Sequence, residues 1–332
     1  MMLSDVAIGA LAGRLRQSRG IAAKGDIAAV AAALGAAADE AIPVGDDCAA
    51  IPDGDGYLLF AIEGFMNEFV AADPWFAGWC GAMVNISDVA AMGGRPTAIV
   101  NAIWSDGTDQ ASAVLSGLRA AARAFGVPVV GGHTNVRSNQ GQFAVAILGR
   151  AKRLLTSFDA RPGDRLIAAI DLRGRYREPF PNWEAATAAP PQRLRGDLEI
   201  LPSLAESGLV LAAKDISQGG IVGTAAMLAE CSQAAITLDV DAIPIPDGAP
   251  LERWLQTFPS FGYLLSVRPD CTDETLARFQ RRGIAAAFVG EVTAGSTLDI
   301  RAASDRATVW DFSQQPLIGC VPGQRSPQRS LA

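Results

Sequence analysis

Helical and strand-like segments alternate through both halves of the chain, which predicts an α+β protein of α/β layers, with sheets covered by helices. Two further observations give it two domains. At 332 residues the chain is long enough for two separate cores. The turn "ARPGDRL" (160–166) carries Pro-Gly-Asp punctuation and opens a new apolar run, which places a boundary near 151–160. The division expected is 1–155, 156–318 and a disordered tail, 319–332, ending in the polar "VPGQRSPQRSLA".

In the first half, residues 5–17 and 25–34 read as helices and "GYLLFAI" (56–62) as a strand. A long helix is expected from 74 to 92, with Asp73 as its cap, Pro74 in its first turn and Gly93-Gly94 as its stop. A strand at 96–104, a helix at 109–125 and strands at 127–130 and 142–150 follow. The second half opens with the strand "RLIAAI" (165–170). Residues 172–193, rich in Pro and Arg without a sustained period, form either a lid or a plain surface connection. Helices are then expected at 194–207, 219–231, 249–257 and 272–282. Strands are expected at 209–213, 235–240, 261–267, 285–291 and 297–302.

Composition removes several functions. A net charge of −7 argues against non-specific nucleic-acid binding, which rests on basic surface. No apolar run approaches the roughly 20 residues needed to cross a bilayer, and the N-terminal charge order is wrong for a secretory signal. Five scattered cysteines without C-x-x-C spacing support neither a thiolate metal site nor a disulfide framework, so a cytoplasmic protein is expected. One histidine, His133, excludes sites built from several imidazoles. No Gly-Lys-Ser/Thr and no G-x-G-x-x-G after a strand are present, so a bound nucleotide would use neither common glycine loop.

Two features stand out against this background. On the 74–92 helix, Gly78, Gly81, Asn85 and Asp88 share one face, opposite the stripe of Trp75, Trp79, Met83, Ile86 and Ala90. Glycine costs a helix about 1 kcal/mol relative to alanine. The face therefore either admits a bulky neighbour or packs closely on a strand, with Asp88 an ordinary solvated acid. The second feature is a set of acids at element junctions. Asp46 and Asp47 lie side by side in "VGDDCAAI", at the edge of what reads as a core segment. Glu63 follows a strand, and Asp215 begins "DISQGGIVG". Such carboxylates either cap and solvate or hold Mg²⁺, a hard cation that shares oxygen ligands with substrate phosphates. "VVGGHTN" (129–135) is either a turn or an anion-binding concavity of consecutive glycine amides.

Taken together, "VGDDCAAI", "AIEGFM", "GAMVNISDVAAMGGRP", "VVGGHTN", "FAVAILGRA" and "KDISQGGIVGTAAMLAE" resemble the AIR synthase-related superfamily. It includes aminoimidazole ribonucleotide synthetase, thiamine-monophosphate kinase and selenophosphate synthetase. The resemblance covers most of the chain, and "N-x-SD-x-x-AMGG-x-P" after "GDD" is its most specific part. It implies an N-terminal mixed sheet that pairs with a second copy into a barrel across a homodimer, a C-terminal α/β sandwich, and ATP at the edge of the dimer interface. Asp46, Asp47, Glu63, Asp88 and Asp215 would hold several Mg²⁺ ions. Gly45, Gly81, Asn85, Gly131, Gly132 and Thr134 would take ATP-binding positions. The paired acids would be neutralised by metal and nucleotide rather than by a side chain.

The departures bear on the reaction. Thiamine-monophosphate kinases carry Asp where this chain has His133 and Gln218. "GGHT" and "AMGGRP" look more like selenophosphate synthetase, yet no cysteine precedes Cys48. Lys24, in "RGIAAKGDI", is either an analogue of that enzyme's catalytic lysine or a helix-flanking charge. His133 either contacts phosphate or acceptor, or is structural. The expected function is ATP- and Mg²⁺-dependent phosphoryl transfer to a small-molecule phosphate acceptor. The alternative is an ATP-binding scaffold or accessory subunit without turnover.

Overall fold

The structure, a computed structural model, describes residues 5–34 and 44–319. Helices α1 (Asp5–Arg16) and α2 (Arg19–Leu34) lead to an edge hairpin of β1 (Ala49–Asp53) and β2 (Gly56–Phe65). There follow α3 (Asn67–Ala72), α4 (Pro74–Ala91), β3 (Arg95–Asp106), α5 (Thr108–Phe125), β4 (Val129–Asn135) and β5 (Arg137–Ala151). The strands form one open sheet in the order β1-β2-β5-β3-β4. Among the described residues no barrel closes within the single chain.

The second half contains β6 (Arg165–Ile170), a small hairpin of β7 (Arg175–Tyr176) and β8 (Trp183–Glu184), α6 (Pro191–Leu198), α7 (Ile200–Glu206) and β9 (Ala212–Asp215). It continues through α8 (Gly220–Ser232), β10 (Ala235–Asp239), α9 (Leu251–Leu255), β11 (Gly262–Val267) and α10 (Thr272–Gln280). Strands β12 (Ala285–Thr293), β13 (Thr297–Ala302) and β14 (Asp305–Asp311) complete it. Its seven-stranded sheet runs β14-β13-β10-β12-β6-β11-β9. Helix α1 packs Ile8, Leu11 and Leu15 into the core of this second sheet, so the chain's first helix shares a core with its last strands.

The glycine face of α4 has a packing cause. Every residue of α4 except Pro74, Trp75 and Val84 is buried. A Cβ on Gly78 would lie 1.8 Å from the Val114 carbonyl oxygen of α5, and one on Gly117 would lie 1.8 Å from that of Trp75. The two helices thus cross backbone against backbone. Gly81 faces Phe143 and Val145 of β5 in the same way, with a Cβ 2.7 Å from the Phe143 ring. The bulky neighbours are the protein's own, and Gly81 is occupied by the sheet.

Four sequence expectations shift. Residues 49–51 of "CAAI" belong to the edge strand β1, with Ile51 exposed, whereas Cys48 before it is buried in the core. Glu63 lies inside β2, and Gly131-Gly132 lie inside β4, with no turn or concavity at that point. Residues 172–193 carry the β7–β8 hairpin. The tail from 320 onward lies outside the described residues.

The outer face of the first sheet is apolar and open. Phe60 and Ile62 of β2 pair with Leu148 and Ala146 of β5, and Ala146 pairs with Val100 of β3. Phe60 is 50% exposed and Ile62 68%. A strand alternation that puts phenylalanine and isoleucine toward water leaves a surface suited to burial against another sheet.

Candidate functional site

A cavity of about 850 Å³ lies between the two sheets' layers. Asp46, Asp47, Glu63, Asp88 and Asp215 all line it, as do Gly45 and Lys24. The acids reach it from separate elements: the segment before β1, strand β2, the last turn of α4 and the end of β9. Helix α2 is seated by a close approach in which a Cβ on Gly20 would meet Gly219 Cα at 2.7 Å. Gly219 and Gly220 have φ of 100° and 64°, a left-handed turn that glycine adopts without strain. This seating brings Lys24 Nζ to within 3.2 Å of Ser217 Oγ.

The paired acids have a side-chain partner, contrary to the expectation that metal and nucleotide alone would neutralise them. Lys214, 2% exposed, donates to Asp47 Oδ1 and to Ser157 Oγ (3.2 Å), and its Nζ lies 3.9 Å from Asp46 Oδ1. It stands 167 positions from Asp47, so the neighbourhood of "GDD" in sequence gave no sign of it. The signal was present elsewhere: a lysine closing the apolar run "LVLAA" is an uncommon burial that calls for a partner. Asp46 is also committed, its carboxylate accepting from Ser157 N (2.8 Å) and Ser157 Oγ (2.5 Å). Asp47 Oδ2 accepts from the backbone N–H of Asp215 at 3.3 Å.

Asp88 and Asp215 are different. Both oxygens of Asp215 and Oδ2 of Asp88 are buried and accept no hydrogen bond among the described residues. Burial, and next the charge of Asp47, push the Asp215 carboxyl up to about 8. Burial together with Asp215 holds Asp88 well above the carboxylate range, and burial raises Glu63 against the pull of Lys24. Asp46 is pushed up to about 6 by burial, opposed by Lys214. Lys24 is lowered by burial and by Lys214, whereas Asp47 and Asp46 outweigh burial and raise Lys214. Asp88, Asp215 and Glu63 would therefore ionise together only with added positive charge.

Mg²⁺ fits this donor set. The orphaned oxygens of Asp88 and Asp215 are hard, and Mg²⁺ takes one or two carboxylates plus substrate phosphates rather than an all-protein cage. Among the described residues no group of three or more His, Cys, Asp or Glu is placed to hold an ion by itself.

Other sequence candidates lie apart. Asn85 is fully buried, its Nδ2 donating to Gly81 O at 2.9 Å, and neither Asn85 nor Gly81 lines the cavity. Gly131, Gly132, His133 and Thr134 are exposed on β4 and do not line it either. Glu63, Val145, Asn101 and Gly132 form one row across the sheet, three strand spacings or roughly 14 Å from acid to glycine. The His133 ring packs against Trp104 with centroids 5.5 Å apart.

Residues 45–151 match the AIR synthase related protein N-terminal domain, and residues 178–302 match the corresponding C-terminal domain. An uncharacterized protein of Synechocystis sp., sll0787, is 50% identical over 281 residues, covering 84% of this chain and 87% of that protein. A thiamine-monophosphate kinase of Halobacterium salinarum is 28% identical over 76% of this chain and 88% of its own length. The solved structure of T. maritima PurL complexed with ATP has the same fold, with a TM-score of 0.70 at 20% identity. It matches 90% of this chain, which spans 53% of that longer one. With both domain models matched in order and the acids of "GDD", "N-x-SD" and "DIS" gathered on one cavity, the chain belongs to the AIR synthase related proteins.

Proposed function

We propose that the protein transfers the γ-phosphoryl group of ATP to a small acceptor bound in the cavity. One observation carries this reading: acids from four elements face one hollow, and those of Asp88 and Asp215 are buried without partners. Uncompensated buried carboxylate is costly, and a chain keeps it where a cation arrives with the ligand. The 28% identical kinase supports the reaction class.

Asp88 and Asp215, on the cavity that Glu63 and Asp47 also line, would hold Mg²⁺, which when bound offsets charge along the phosphate chain. Lys214 and Ser157 fix Asp47 and Asp46 so that these acids keep their orientation when the site is empty or filled. Lys24, held by Ser217, adds an ammonium on the α2 side. The acceptor's oxygen forms a bond to the γ-phosphorus, the bond to the β–γ bridging oxygen breaks, ADP leaves and the acceptor's proton is released. Such catalysis is mostly positioning and electrostatic stabilisation, which suits a chain with one histidine.

The open apolar face of the first sheet supports a homodimer, the two faces closing over each other. Gly131, Gly132, His133 and Thr134 then belong to the rim of that interface, at a distance from Glu63 that an extended nucleoside triphosphate spans.

Calorimetric titration with Mg²⁺ and the ATP analogue AMP-PCP tests the site. Asp88→Asn should abolish Mg²⁺-dependent binding while the circular dichroism of the protein stays that of the native fold. Unchanged affinity would refute the assignment. Binding without ADP production from ATP across an acceptor panel would favour the scaffold reading, to which the departures at His133 and Gln218 lend support.

A further inference from the structure

The acids occupy one part of the cavity wall, and the rest has another character. Phe65, Met66, Phe69, Phe180, Pro181 and Phe258 line it from the end of β2, from α3, from the loop between β7 and β8, and from the turn after α9. The segment read from sequence as a lid or a plain connection is therefore part of a binding wall.

That wall is held from both sides. Arg177 Nε and Nη2 donate to the Asp73 carboxylate at 2.6 and 3.2 Å, and the guanidinium lies 4.3 Å from the centre of the Phe76 ring. The Phe180 ring meets Phe69 edge-on at 5.2 Å. On the other side Trp183 N donates to Phe258 O at 2.9 Å, and Asn182 bridges Phe258 strand-to-strand. The phenylalanines are half-buried, leaving ring surface open to the cavity.

Asn182 supplies a second, independent observation. It lines the cavity, is 5% exposed, and its side-chain amide makes no hydrogen bond to any described residue. An amide held at the cavity wall without a protein partner is free to pair with a ligand. The nearby cations are already engaged. Arg253 pairs with Glu178 at 2.8 Å and lies 3.7 Å over the Tyr176 ring, and Arg19 pairs with Glu68 at 3.0 Å. An anionic group on this side would have to compete with Glu178 and Glu68 for those guanidiniums.

We propose that Phe65, Phe69, Phe180, Phe258 and Asn182 form the acceptor subsite, and that it takes a flat, uncharged nitrogen heteroaromatic ring. The rings stack or meet it edge-on, the Asn182 amide pairs with its nitrogen edge, and its hydroxyl-bearing arm points toward the acids. The word acceptor rests on the phosphoryl-transfer reading; the ring subsite does not.

The test uses ligand-observed saturation-transfer NMR on the full chain with pyridin-3-ylmethanol and quinolin-3-ylmethanol, and with cyclohexylmethanol as the non-aromatic control. Both aromatic alcohols should bind and the control should not. Phe180→Leu, which keeps an apolar side chain and removes the ring, and Asn182→Ala should each weaken binding at least fivefold while Mg²⁺–AMP-PCP affinity stays unchanged. Equal binding of the control, or unchanged binding in both variants, would overturn the subsite. Displacement of the aromatic alcohols by AMP-PCP would assign the ring site to the nucleotide base and overturn the acceptor proposal. Ring binding with no nucleotide binding would reject phosphoryl transfer, and the acceptor role with it, while the ring site stood.

Discussion

Replacing Asp215 by asparagine should make the metal-free protein more stable. Asp215 is 1% exposed, and neither carboxylate oxygen has a partner among the described residues. Burial, followed by the charge of Asp47, raises its pKa from 3.8 to about 8. The folded state therefore keeps a proton that the unfolded chain has already released. Its contribution to stability is complete below about pH 4 and is lost as the pH rises through about 8. The interval from 3.8 to about 8 corresponds to about 6 kcal/mol at full ionisation. Water and counter-ions entering the cavity, and the cost of an asparagine amide in the same place, reduce the expected gain to about 2–3 kcal/mol at pH 8. Urea unfolding followed by tryptophan fluorescence, at pH 5 and pH 8 in EDTA, measures it. The native protein should lose more stability than the variant between those two values. Adding Mg²⁺ and AMP-PCP should restore the native protein and leave the variant unmoved. Parallel pH profiles, or a variant less stable than the native protein at pH 8 in EDTA, would refute the electrostatic reasoning.

Lys214→Met removes the buried ammonium from Asp46 and Asp47 and should cost about 3–5 kcal/mol at neutral pH, read from the urea midpoint, because the carboxylates stay behind unpaired. Mg²⁺ should recover more stability in that variant than in the native protein. Gly78→Ala places a methyl group against the Val114 carbonyl and should cost about 3 kcal/mol by forcing α4 and α5 apart, with a lowered thermal midpoint as the readout. Phe60→Asp combined with Ile62→Asp should yield a monomer by sedimentation velocity if the open sheet face carries the dimer contact.

Much of this protein could be read from local pattern. The caps of α4 were legible because Asp73 and Pro74 act within one turn, and Asp73 does accept from Phe76 N. Most strand and helix positions followed from periodicity, and the motifs carrying Asp88 and Asp215 marked their residues as exceptional. Other features depended on partners distant in the chain. Gly78 and Gly81 left open what packs on their face, and α5 and β5 fill it. Gly131 and Gly132 looked like a turn until pairing with β3 drew them into a strand.

By itself the sequence determined the layered α+β architecture, the acids and their order, because hydrophobic period, caps and motifs are short-range properties of the chain. Only the tertiary structure decided that Lys214 neutralises Asp47 from 167 positions away, and that residues 180–182 wall the cavity. It also left the glycines of β4 about three strands from the acids. Charge pairing and cavity shape depend on distances in space, and folding alone sets which remote residues come within reach of one another.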